Sequence, residues 1–162
     1  YGHFIDDQLG FVSRTPEFKK AFDADSKLYD VSSSEGTERL NNLRLEIADN
    51  IHAFSSEYVT DIISALTLND TRFIRKYAEN AVQTSRYDIF YEEKMEGVGM
   101  SGHSYSYWVY DGPVNARQME AFADLFAIKV ENNPIVLEFV CEHFPNLNRE
   151  FERIIDCYLK KI

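Results

Sequence analysis

The chain has 162 residues, the length of one compact domain, and its aromatic content of 14% supplies a substantial core. Its hydrophobic fraction of 44% argues against wholesale disorder. The formal net charge of −10 argues against partners that are nucleic acids or anionic membranes, since both attract positive surfaces. We therefore expect a single domain over residues 1–162.

Most of the sequence predicts helices. Residues 1–8 indicate the end of a helix, with Gly10 as its stop. Thr15-Pro16-Glu17 predicts a helix start, because it combines a capping hydroxyl, a proline at the first helical position and an acid in the first turn. The predicted helices cover about residues 1–8, 15–30, 38–54, 56–66, 73–84, 115–131, 133–143 and 148–160, with a Ser-rich loop at 32–34.

Residues 87–110 differ from the rest of the chain. They are rich in Tyr and Gly and lack a helical period, so they predict a loop with at most a short β-hairpin. The expected fold class is therefore mainly α. Cys141 and Cys157 form no paired motif, which excludes a zinc finger, and we expect two semi-buried free thiols.

The first residues contain half of a metal-binding pattern. In Tyr1-Gly2-His3-Phe4, the histidine fits the second half of a His-Glu-x-x-His zinc motif. In that motif two histidines on one helical face bind one metal, and the Glu polarises the metal-bound water. Standing alone, a histidine near a terminus is more often a solvated or packed side chain. Asp6, three residues later, either supports such a ligand or is exposed.

Two acids on a later helix form the second element. Glu120 and Asp124 are four residues apart, so they point to one face of the predicted helix 115–131. Such a pair supplies a third zinc ligand and an acid that orients a ligating histidine in one class of zinc peptidases. A solvated acidic face has the same spacing. Phe122 and Phe126 indicate a largely buried helix, however, and buried acids need a reason.

Both ends of the chain carry a family resemblance. It lies in residues 1–25, YGHFIDDQLGFVSRTPEFKKAFDAD, and in residues 120–162, with an E-x-F-A-D helix, a Phe-Pro break and a terminal amphipathic helix. These segments resemble the catalytic domain of anthrax lethal factor and the related metallopeptidase-like domains of phage minor head proteins and mobile-element toxins. Residues 102–108 are similar to the phage-type versions. The middle of the chain, about residues 30–100, has no counterpart.

The resemblance implies a zincin-like helical subdomain of the gluzincin type and a zinc site. By its pattern His3 is the second zinc ligand and Glu120 the third. Asp124 is then the carboxylate that holds a ligating histidine.

The resemblance also implies a tyrosine, upstream of the ligand Glu, that stabilises the oxyanion. Tyr107 and Tyr110 are the candidates, with simple packing as the alternative for each. His103 is a further candidate, either as a transition-state donor or as an adventitious ligand.

The implied function is peptide-bond hydrolysis by metal-activated water on a protein or peptide substrate. The first His and the Glu of the motif are not in the chain, so we expect the C-terminal part of a metallopeptidase domain, catalytically incomplete and with zinc absent or weakly bound. A non-catalytic phage structural or interaction domain and a toxin module are the open alternatives. A cytoplasmic or phage-associated location is expected, a secreted toxin remains open, and the oligomeric state is not predicted.

Overall fold

The computed structural model describes residues 2–50, 52–54, 58–67, 103 and 107–160. This part of the chain is helical and contains no strand, which confirms the mainly α fold class. None of its helices is long and apolar enough to cross a membrane. The helix predicted over 73–84 lies outside the described residues, and so does the loop or hairpin predicted over 87–110, except for His103 and residues 107–110. The elements are α1 (Gly2–Gln8), a 3-10 turn (Val12–Arg14), α2 (Pro16–Leu28), α3 (Ser34–Asp49), α4 (Tyr58–Thr67), a turn of π-helix (Tyr107–Asp111), α5 (Ala116–Glu131), α6 (Pro134–His143) and α7 (Pro145–Leu159).

Helix α1 ends and helix α2 begins where the sequence indicates, and α2 ends at Leu28, two residues before its predicted end. Gly10, with a φ of 80°, follows α1 and turns the chain away. The Thr15 hydroxyl accepts the Phe18 amide at 3.3 Å and caps α2, with Pro16 at its first position. Asp6 is buried and accepts the amide and hydroxyl of Ser13 at 2.9 and 2.5 Å. Asp6 therefore joins α1 to the 3-10 turn instead of being exposed.

Helix α3 begins four residues earlier than predicted. Ser33 is its cap, because the Ser33 hydroxyl accepts the Gly36 amide at 3.0 Å and donates to the Asp30 carbonyl at 2.9 Å. Gly36 is buried so close to Asp30 that an added Cβ would lie 2.2 Å from the Asp30 carbonyl oxygen. The predicted Ser-rich loop thus ends at Ser33, and the helix ends at Asp49 rather than at residue 54.

The last three helices lie where they were predicted, with two differences at their starts. Asn115 precedes α5 with a φ of 68°, and its side chain makes no capping hydrogen bond to that helix, although asparagine is a common capping residue. The Asn133 side chain does cap α6, accepting the Ile135 amide at 3.1 Å. Helix α7 begins at Pro145, three residues early, because the buried Asp25 of α2 accepts the Leu147 amide at 2.8 Å in its first turn.

Helix α5 packs against α1 and α4, and α2 packs against α7. The rings of Phe18, Phe122 and Phe151 meet edge to face at 5.7 and 5.4 Å and join α2, α5 and α7. Arg117 of α5 donates to the last carbonyls of α4, which holds the end of that helix. Cys141 and Cys157 are exposed, so their predicted partial burial is wrong.

Candidate metal centre

The structure brings His3 of α1 and Glu120 of α5 together. Their Nε2 and Oε2 atoms lie 2.9 Å apart across 117 residues of sequence. Gly2 makes this approach possible: a Cβ at residue 2 would lie 2.4 Å from the Cα of Ala123, so no other residue fits without moving a helix. Two ligands of one metal ion lie about 3–4 Å apart, so His3 and Glu120 are close enough to share one, and their role as zinc ligands stays a prediction.

Tyr107 is the second side chain on Glu120. Its hydroxyl donates to Glu120 Oε1 at 2.8 Å, so the two carboxylate oxygens of Glu120 contact different partners. Burial, and then the hydrogen bond to Glu120, raise the pKa of Tyr107 to about 12. Tyr107 is therefore a protonated hydrogen-bond donor at neutral pH. It lies in the turn of π-helix, where a loop was predicted, and π-turns occur frequently at functional sites.

The second tyrosine candidate, Tyr110, is 75% exposed. It lies three residues after Tyr107 in the π-helical turn, while Trp108 between the two is buried. The geometry therefore favours Tyr107 over Tyr110 as the tyrosine that acts together with Glu120.

Asp124 lies one turn beyond Glu120, with its Oδ2 atom buried. Burial, then the charges of Asp61 and Glu120, and a hydrogen bond to Asp61 raise the pKa of Asp124 to about 9, so its carboxyl is protonated at neutral pH. Its nearest charged neighbours are therefore acids. Among the described residues no histidine hydrogen-bonds to it, so its predicted role in orienting a ligand stays a prediction.

His103 is paired with an acid that the sequence analysis missed. Asp61 of α4 accepts the backbone amide of His103 at 3.0 Å, and its other oxygen lies 3.3 Å from His103 Nδ1. The His103 ring stacks on Tyr107 with centroids 3.9 Å apart. Asp61, His103 and Glu120 each offer a ligand atom within 4.8 Å of the others. The sequence feature that could have indicated Asp61 is a single acid in a helix that is otherwise uncharged and rich in apolar residues.

A second group of possible ligands lies away from Glu120. Glu46, Glu142 and His143 also offer three atoms within 4.8 Å of one another, and His143 Nε2 lies 2.8 Å from Glu46 Oε2. The spacing of residues gives no sign of this group, because Glu46 and His143 are 97 residues apart in the sequence. His52, in contrast, is exposed.

Comparison with known proteins adds no further assignment. No protein-family model, curated protein or solved structure matches the chain. The likeness to metallopeptidase domains therefore rests on the residues quoted above, and the function must be argued from the site itself.

A cavity of about 620 Å³ opens beside His3, Glu120 and Asp124, between α1 and α5. The rest of its wall is largely apolar and includes Ile5, Tyr58, Phe126 and Val130. An apolar cleft with a few convergent polar groups is the usual form of a ligand site.

Proposed function

We propose that this chain is part of a zinc-dependent peptidase of the His-Glu-x-x-His class, related to phage or mobile-element proteins. The observation that carries the proposal is the 2.9 Å contact between His3 and Glu120, two residues separated by most of the chain. Zincin-type peptidases use this ligand pair, and imidazole nitrogen and carboxylate oxygen are ordinary zinc donors. In the longer protein that we propose, a His-Glu pair precedes Tyr1.

The donor set fits a zinc ion. His3 and Glu120 offer N and O ligands, and the Glu120 side chain is only 14% exposed, so its carboxylate is poorly solvated. Zinc, when bound, acts as a Lewis acid that lowers the pKa of a water molecule.

The chain's own residues would position and stabilise the reacting peptide. The Tyr107 hydroxyl is a fixed, protonated donor next to the ligand carboxylate, where an oxyanion would need a hydrogen bond. The apolar cavity beside His3 is large enough for an apolar side chain of the substrate and excludes part of the water from the site.

The experiment is to express the chain together with the residues that precede Tyr1 in its gene, and to measure bound zinc and peptide cleavage. We expect about one zinc per chain, lost in Glu120→Ala. Tyr107→Phe should lower kcat about 100-fold, the effect of removing one oxyanion donor. Tyr110→Phe, the matched change on the exposed side of the same turn, should leave kcat unchanged. If the two residues that precede Tyr1 are not His-Glu, the peptidase proposal is wrong.

The alternative is a non-catalytic structural or interaction domain of the same fold. One observation favours it. Glu120 contacts both His3 and Tyr107 through its two carboxylate oxygens, and these contacts by themselves join α1, α5 and the π-helical turn. In that case the extended protein would bind no zinc, and chelators would leave its thermal unfolding unchanged.

A further inference from the structure

We propose that Asp61, His103 and Glu120 form a binding site for a divalent first-row transition-metal ion that does not depend on His3. The three residues come from α4, from the chain before the π-helical turn and from α5, and each offers a ligand atom within 4.8 Å of the other two. Ligands of one such ion lie about 3–4 Å apart, so small side-chain movements bring the three atoms to one centre.

The charge around these residues favours a cation. The side chains of Asp61 and Glu120 are only 10% and 14% exposed, and Asp124 lies beside both. Within the described ranges no Lys or Arg forms an ion pair with any of these three acids. Carboxylates that share a poorly solvated site repel one another, and a bound cation removes that cost.

Asp124 supports one of the proposed ligands from beside it. Burial, the charges of Asp61 and Glu120 and a hydrogen bond to Asp61 raise the pKa of Asp124 to about 9, so its protonated carboxyl helps to fix the orientation of Asp61. Asp124 lies on the same face of α5 as Glu120, one turn further along.

Neighbouring contacts hold His103 in place for this role. Its backbone amide donates to Asp61, and its carbonyl accepts the Ser64 hydroxyl at 3.0 Å. The Trp108 indole in turn donates to Ser64 Oγ at 3.1 Å. The histidine is thus tied to α4 by its own backbone, and Tyr107 stacks on its ring. Preorganised ligands of this kind cost little entropy on binding.

The donors indicate the class of ion. One imidazole and two carboxylates suit zinc, manganese, cobalt or iron(II), whereas magnesium and calcium prefer oxygen ligands alone. The site shares Glu120 with the peptidase proposal but needs neither His3 nor any residue before Tyr1.

The test is titration of the chain of 162 residues, freed of metal by a chelator, with Co²⁺ and with Zn²⁺, by calorimetry and Co²⁺ absorption. We expect one ion per chain, a Kd raised at least 100-fold by His103→Gln and by Asp61→Asn, and a change of less than threefold in His3→Gln. Circular dichroism of each variant confirms folding, and His103→Gln keeps the test valid if Asp61→Asn does not fold.

Two results would overturn the proposal. One is a folded chain that binds neither ion in the millimolar range. The other is binding that His3→Gln abolishes while His103→Gln leaves it unchanged, because the ion would then be held by the His3–Glu120 pair alone. The second result supports the ligands of the proposed peptidase, so the two proposals fail separately.

Discussion

The close packing of α1 on α5 predicts a large effect from one added methyl group, in Gly2→Ala. The new Cβ would lie 2.4 Å from the Cα and 2.5 Å from the carbonyl oxygen of Ala123, whereas ordinary contact begins at 3.4 Å. Helix α1 must therefore move by about 1 Å, because interiors are too dense to absorb the overlap. The same movement would stretch the 2.9 Å contact between His3 and Glu120 to about 3.9 Å, which is no longer a hydrogen bond.

We expect Gly2→Ala to lower the free energy of unfolding by about 1–3 kcal/mol, the usual effect of overpacking. Urea denaturation followed by circular dichroism measures it, with Gln8→Ala on the exposed side of the same helix as the control. Adding Ala123→Gly should restore little stability, since the nearest atoms belong to the backbone. An unfolding energy for Gly2→Ala within about 0.5 kcal/mol of the control, or full rescue by Ala123→Gly, would refute the reasoning.

Three other substitutions test the fold by the same urea assay. Asp25→Ala should cost about 3 kcal/mol, because it removes a buried charged acceptor from the first turn of α7, while the exposed Asp23→Ala should cost less than about 0.5 kcal/mol. Gly36→Ala should cost about 1–3 kcal/mol, because its Cβ would overlap the Asp30 carbonyl; an unchanged midpoint would contradict the close packing. Thr15→Ala should cost about 1 kcal/mol through loss of the α2 cap, and Thr15→Ser should restore most of it.

Helix starts were predictable where the signal is local. Thr15 with Pro16, and Asn133 with Pro134, each place a capping side chain directly before a proline, and both caps form. Asn115 has the same side chain but a left-handed backbone, which its residue type does not reveal.

The early start of α3 depends on contacts that lie outside a simple periodic pattern. The Ser33 cap is completed by the Asp30 carbonyl, and the buried Gly36 lets the first turn approach that backbone. The early start of α7 likewise depends on Asp25, which is 122 residues away from Leu147. The residues near Leu147 in the sequence therefore do not predict where α7 begins.

The candidate site was only partly predictable. His3, Glu120 and Tyr107 were proposed from residue types and a family resemblance, and the structure brings them into contact. Asp61 was missed, because nothing in the spacing of residues connects α4 to His103. An acid in a helix rich in apolar residues needs a reason to be buried. That argument led to Asp124, and it applies equally to Asp61, which is buried in α4.

The distances along the chain between the site residues also determine when the site can form during synthesis. A ribosome makes His3 first and Glu120 117 residues later, so α1 leaves the exit tunnel long before its partner helix exists. Closing so long a segment has a high entropic cost, which the packing of α5 against α1 and α4 must offset. Asp61 and His103 can pair with each other before α5 emerges, whereas His3 reaches the solvent without its partner and contacts Glu120 only after α5 has emerged.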